Sequence, residues 1–342
     1  MRFPVFMVLT AACTAPAFAE RVDALFDVPE LDRWMYPFNG TPGSRRTFSV
    51  FGSDREVPTQ FDARDGQVIV AFDTDLLIPS GGGANGYVIT RAELTMQVSN
   101  DRVFQHDPTP DPWTCFLPSS DARRTVDADA GQPIEVFGVG FRGGWNAASF
   151  LEASPYANAG SSFLAPGVRN AFAAQVDADG VPSDVSNNPR ESFQARAFGT
   201  GSIAGLAAGA AVPVDSIMRF PIDVSDPGIQ RYLVQGLDAG RLFLAVSSLA
   251  FVQQQGGAFP SFYSKENAFV QFGLAQAPRL RIEVETAPTC RAVDLDCSGT
   301  VDFSDVALVL LDYGPCPGCA TDLDGTGEVD FGDVAIVMLD FD

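Results

Sequence analysis

The stretch GQVIVAFDTDLLIPSGGGANGYVITRAELTMQV, residues 66–98, decides the class of the main body of the chain. Its first nine residues alternate apolar and polar positions and are rich in β-branched and aromatic side chains, the two-residue period of a strand. IPSGGGANG then supplies turn residues, and YVITRAELTMQV resumes the alternation. The same grammar recurs outward: PIEVFGVGF from Pro133, MRFPIDV from Met218, RLFLAVSSLAF from Arg241, NAFVQFG from Asn267 and RLRIEVE from Arg279 all read as strands. One amphipathic helix, GIQRYLVQGL from Gly228, follows an Asp-Pro start. Many short strands, frequent turns and few helices predict a mainly β, two-sheet β-sandwich. Residues 146–211, rich in Ala, Gly, Ser and Asn, are expected to form long loops at one end of it or a lid.

The 342 residues carry 43 acidic against 22 basic side chains, a net charge of -21, with Lys265 the single lysine. Such a charge repels nucleic acid and anionic lipid and favours divalent cations. Residues 288–342 hold twelve of the acidic groups against Arg291 alone, so the charge is concentrated at the C-terminal end. At the other end, residues 1–19 join Arg2 to an apolar run closing on Ala17-Phe18-Ala19, the pattern of a cleaved secretory signal. The mature chain is thus expected to start at Glu20, secreted or at the cell surface, with no transmembrane segment after cleavage.

The acidic tail contains two near copies, DLDCSGTVDFSDV from Asp294 and DLDGTGEVDFGDV from Asp322, 28 positions apart. A calcium loop of twelve residues draws oxygens from positions 1, 3, 5, 7, 9 and 12, with glycine sixth. The first copy places Asp294, Asp296, Ser298, the Thr300 carbonyl, Asp302 and Asp305 there, with Gly299 sixth. The second places Asp322, Asp324, Thr326, the Glu328 carbonyl, Asp330 and Asp333 there, with Gly327 sixth. Helix capping accounts for one aspartate per loop, not for four at ligand spacing twice over. Two calcium ions are therefore expected. Each loop runs into an apolar segment, VALVLLDYG or VAIVMLDFD, and position 12 is Asp where EF-hands commonly carry Glu.

A loop followed by an exit helix, without an entering helix and duplicated at short interval, resembles the dockerin module of bacterial exported proteins, and in particular its cysteine-bearing GC type. The resemblance implies a small helical calcium-binding module that attaches its protein to a cohesin-like or other surface or matrix partner. Positions 10 and 11, often Ser-Thr in dockerins that bind cohesins, are here Phe303-Ser304 and Phe331-Gly332. The body more loosely resembles extracellular jelly-roll domains of the DNRLRE or carbohydrate-binding kind, through VIVAFDTDLLIP, ITRAELTMQV, FYSKENAF and PRLRIEVE. That resemblance implies a polysaccharide as a candidate ligand. The expected organisation is a signal peptide over 1–19, a β-sandwich over 20–286 and a dockerin-like module over 287–342.

Five cysteines remain after signal removal. In an oxidising compartment Cys290 is expected to pair with Cys316 or Cys319, with zinc at CPGC the competing use of those thiols. His106, the single histidine, is expected in an exposed loop, outside any hydrolase motif. The expected function is non-catalytic binding or structural duty under calcium-dependent attachment. The alternative is an extracellular polysaccharide-active hydrolase, which would draw two carboxylates from candidates such as Glu93, Glu135, Glu152 and Glu191, and could stack sugars on Trp34, Trp113 or Trp145.

Overall fold

A computed structural model describes residues 20–56, 60–251, 259–286, 292–296 and 300–341. The expected leader and the residues Cys290, Cys297, Ser298 and Gly299 lie outside them. Val22–Val284 forms one compact unit, and Glu285–Asp342 falls in the other.

The chain is mainly β. Its first unit contains β1 (Glu20–Phe26), β2 (Leu31–Met35), β3 (Thr47–Ser49), β4 (Phe51–Gly52), β5 (Arg64–Asp73), β6 (Tyr87–Gln97) and β7 (Ile134–Phe141). It continues through β8 (Ala171–Val176), β9 (Pro182–Asp184), α1 (Asn188–Glu191), β10 (Gly199–Thr200), β11 (Ile217–Ile222) and α2 (Pro227–Asp238). It ends with β12 (Arg241–Ser248), β13 (Ser261–Tyr263), α3 (Ala268–Gln271) and β14 (Arg279–Thr286). A four-stranded sheet has the order β1-β14-β6-β11, and a larger one runs β2-β5-β12-β7-β8-β9, with β4 on β5 and β10 on β7. β5 and β6, the two segments of the opening quotation, thus belong to different sheets. Their turn-rich connection crosses from one layer to the other.

The pattern of β5 explains the layers. Val68, Val70 and Phe72 enter the core shared with Leu94, Met96, Leu280 and Ile282 of the four-stranded sheet. Ile69 and Ala71, pointing the other way, are equally buried, in a second core with Phe137, Phe150, Ala173 and Phe243. A strand buried on both faces reads as a continuous apolar run, and VIVAF, five apolar residues in succession and all buried, corrects the alternation expected there. Cover for the second face comes from the Ala- and Gly-rich middle region: Trp145, Tyr156, Phe193 and Ala197 pack there. Residues 146–211 thus hold β8, β9 and β10 of the larger sheet as well as the loops expected of them, some of which cover its second face.

α2 has the expected helical spacing, with Ile229, Leu233, Val234 and Leu237 buried in the first core. The Asp226 carboxylate caps it by accepting from the Gly228 and Ile229 N–H groups. NAFVQFG departs from expectation, being the short helix α3 instead of a strand. The Asn267 side chain accepts from Phe269 N–H at 2.9 Å and starts the turn, and Gly273 leaves it at φ +72°. Capping chemistry overrides the aromatic content there.

The second unit is a duplicate. α4 (Phe303–Leu311) and α5 (Phe331–Leu339) are joined through a minimal ladder of β15 (Gly314–Pro315) and β16 (Glu328–Val329). Val301 and Val309 are buried together with Val329 and Val337, their counterparts 28 positions on. Among the described residues no helix is long and apolar enough to cross a membrane.

Candidate functional site

Each tail loop is built around its twelfth position. The buried Asp305 Oδ1 accepts from Leu295 N–H at 2.6 Å and Asp296 N–H at 3.1 Å, and Oδ2 from Asp302 N–H at 2.9 Å. The second copy repeats this: Asp333 Oδ1 takes Leu323 at 2.7 Å and Asp324 at 3.2 Å, and Oδ2 takes Asp330 at 2.8 Å. Asp302 and Asp330 are the helix N-caps, and with Asp305 and Asp333 they close reciprocal capping boxes. Position 12 therefore fastens the start of its loop to the first turn of the helix that follows. The shorter aspartate fits this role because the carboxylate must sit close to the backbone it holds.

These bonds also fix the charge. Burial raises the Asp305 carboxyl, but the N–H groups of Asp302, Asp296 and Leu295 outweigh it and hold the group below its usual range. Asp333 is lowered by the Asp330 N–H, against burial, with help from Asp324 and Leu323. Both are anionic at neutral pH.

Positions 1, 3 and 12 come together in both copies. Asp294, Asp296 and Asp305 each present an oxygen within 4.8 Å of the others, and so do Asp322, Asp324 and Asp333. Oxygens arranged around one calcium ion at about 2.3–2.6 Å have separations of this size. The donor set, oxygen only, suits a hard cation. In the second loop the Asp322 carboxylate accepts from Thr326 N–H at 3.0 Å and Gly327 N–H at 2.9 Å, and Gly327 has φ +87°. Glycine is needed for that turn. The Thr326 hydroxyl donates to the Glu328 carbonyl at 3.1 Å. Asp302 and Asp330, at position 9, serve as caps, accepting from Ser304 and Gly332 N–H, and do not join the triads.

Outside the loops the module leaves an aromatic surface. Phe303 and Phe331 are 75% and 73% exposed, and Leu311 and Leu339 more so. Phe303 meets Phe341 edge on at 5.1 Å, and Tyr313 meets Phe331 at 5.5 Å. Phe341 is the repeat counterpart of Tyr313, as Phe331 is of Phe303, so the two contacts are equivalent under exchange of the repeats.

The cysteine expectation is corrected. Cys316 and Cys319 are bonded to each other, with Cα atoms 5.7 Å apart, and neither is available to Cys290 or to zinc. The CPGC turn brings them together locally: Cys319 N–H donates to the Cys316 carbonyl at 3.2 Å. Cys115 is a buried free thiol.

In the β unit, His106 is buried rather than exposed. Its Nε2 accepts from Ile203 N–H at 3.0 Å, which leaves the proton on Nδ1, 3.3 Å from the Ala207 carbonyl. The four glutamates do not share a cleft partner. Glu93 pairs with Arg91 and Arg219, Glu135 lies buried on Arg64 at 2.8 Å, Glu152 holds Lys265, and Glu191 ends α1. Trp34 donates to the Ser49 carbonyl at 2.7 Å and stacks on Tyr36, Trp113 lies under Arg123, and Trp145 packs on Phe150. The tryptophans serve three different neighbourhoods.

Searches against family models, curated proteins and solved structures find no match. The functional reading therefore rests on the chemistry of the side chains.

Proposed function

We propose that this is an exported, calcium-binding protein of non-catalytic binding or structural duty, attached to a cell-surface or matrix partner through a C-terminal dockerin-like module. The observation that carries the proposal is the repeat-related pair of carboxylate triads, each fastened by its twelfth residue to the helix it precedes. Three anions held within 4.8 Å of one another repel until a cation neutralises them, so ion binding and helix placement are one event. Calcium bound at Asp294, Asp296 and Asp305 and at Asp322, Asp324 and Asp333 sets the helix starts from which Phe303 and Phe331 project. An exposed apolar patch of this kind marks a partner site. Phenylalanine at these places, where Ser-Thr pairs are frequent in dockerins that bind cohesins, directs the module to a more apolar partner surface.

The test is the distribution of the protein between cells and medium. Wild type should be retained, and both the Asp294→Ala, Asp322→Ala variant and a form truncated after Thr286 should be released. Identical distribution of the three forms would refute attachment through the tail.

A further inference from the structure

A third acidic cluster lies in the β unit, far in sequence from the tail. Asp107 and Asp111 follow β6 in HDPTPDP, and Asp129 precedes β7 in DADAG. Each of the three presents an oxygen within 4.8 Å of the others. Asp107 and Asp111 are 4% and 7% exposed, and the Oδ2 atom of each is cut off from solvent without a hydrogen-bond donor. Buried carboxylate oxygens ordinarily have donors or a counter-charge. The groups bearing on Asp111 here are Asp127, which also shares a side-chain hydrogen bond with it, Asp107 and Asp129, all of its own charge sign.

Comparison with another cluster in the same unit shows what is missing. Asp32, Glu152 and Glu266 are grouped as tightly, but around Lys265, whose Nζ is 2.5 Å from Glu152 and 3.8 Å from each of the other two. There the chain provides one cation of its own, although burial and Glu266 still push the Asp32 carboxyl up and Asp32 Oδ1 and Glu152 Oε1 lack donors. Around Asp107 it provides neutral donors, the Thr109 N–H at 3.0 Å from Asp107 Oδ1 and the Thr109 hydroxyl, 2.8 Å from Asp107 Oδ1 and 2.7 Å from Asp129 Oδ2, whose one proton can serve only one of these oxygens. The two segments are in contact: a Cβ on Gly131, at φ +114°, would fall 2.8 Å from that of Asp107, so the second loop rests directly on the first.

We infer that Asp107, Asp111 and Asp129 bind a hard divalent cation of the calcium class, pinning the loop before β7 to the segment after β6. The oxygen-only donor set excludes thiolate- and imidazole-seeking metals, and His106 has both ring nitrogens engaged elsewhere. Asp129 is exposed and gives the ion its route from solvent. Without the ion, burial and the charges of Asp127 and Asp107 push the Asp111 carboxyl up to about 7, so a shared proton is the rival occupant.

Counting bound calcium by equilibrium dialysis of the full chain separates the possibilities. The Asp294→Ala, Asp322→Ala variant should keep one ion, and adding Asp107→Asn and Asp111→Asn should remove it. A loop variant that holds no calcium, beside a wild type that holds two, overturns this site and leaves the tail sites standing. A single ion in both wild type and loop variant, lost with the two Asn substitutions, has the opposite meaning. Asp129→Asn, at an exposed position, should weaken the remaining ion about tenfold through loss of a ligand charge. Unchanged affinity contradicts the site. In chelator the Asn variant should melt no lower than wild type, since neutral amides relieve the repulsion. Protonation alone would instead leave the loop variant's melting indifferent to calcium, and would overturn the inference.

Discussion

Replacing Asp333 by alanine should remove most of the stability of the tail module, whereas replacing Asp330 three positions earlier should not. Asp333 accepts three backbone N–H bonds, from Leu323, Asp324 and Asp330, and is buried. Hydrogen bonds to a charged group contribute about 1.5–3 kcal/mol each, and alanine would leave three donors without their acceptor. Three such bonds amount to roughly 4–9 kcal/mol. A module of this size, at about 0.05–0.15 kcal/mol per residue, has roughly 3–9 kcal/mol in all. The Asp330 side chain by contrast serves only as the helix cap, accepting from Gly332 N–H at 2.6 Å and, in the capping box, from Asp333 N–H, a loss of about 1 kcal/mol. The assay is urea unfolding of the full chain in saturating calcium, followed by helical circular dichroism. The Asp333→Ala chain should lose the helical signal of the tail at the lowest urea, while Asp330→Ala shifts its midpoint slightly. Equal midpoints for the two variants would refute the reasoning that position 12 ties loop to helix.

Asp62→Ala should destabilise the β unit by about 3–5 kcal/mol, because it strands a fully buried Arg169 whose Nε lies 2.6 Å from Asp62; thermal or urea unfolding measures it. Burial raises Asp62, but Arg169, Gly167 N–H and Asn187 together hold it below its ordinary value. Its stabilising contribution is therefore present above the unfolded carboxyl range and lost as pH falls through the folded value. Asp32 has the opposite sign: burial, then Glu266, push it up to about 9, against the Lys265 N–H and ammonium. Its ionised form is disfavoured in the fold, so Asp32→Asn should raise the melting temperature at pH 8 and do less at pH 5, and a gain confined to acid would contradict the cause assigned.

Legibility in the sequence followed the range of the interactions. β5, β7, β11, β12 and β14 were marked by their own side chains, and α2 by its spacing and its Asp-Pro start. The repeats declared their twelve-residue spacing because the register of a loop is local. What sequence could not give was the partner of each element. Ile69 and Ala71 are buried by residues from the middle of the chain, which look like loop material until the sheet needs a second cover. NAFVQFG carries strand-forming residues, but one Asn side chain decided its first turn. His106, in a proline-rich segment, gave no signal of burial, since its partners Ile203 and Ala207 lie about a hundred positions away. The Asp107 cluster needed two loops to meet, and nothing in HDPTPDP points to DADAG. Pairing of Cys316 with Cys319 was within reach, the two being three residues apart across a Pro-Gly turn; the symmetry of the repeats suggested a longer connection that the turn pre-empts.

Hydrogen exchange at the six amides held by Asp305 and Asp333, those of Leu295, Asp296, Asp302, Leu323, Asp324 and Asp330, measures the coupling of ion and helix most directly. At a free calcium concentration a hundred times the dissociation constant, protection at all six should exceed that in chelator by about a hundredfold, a stabilisation of about 2.7 kcal/mol. The same six amides exchanging at one rate with calcium and without it would contradict a tail that calcium sets.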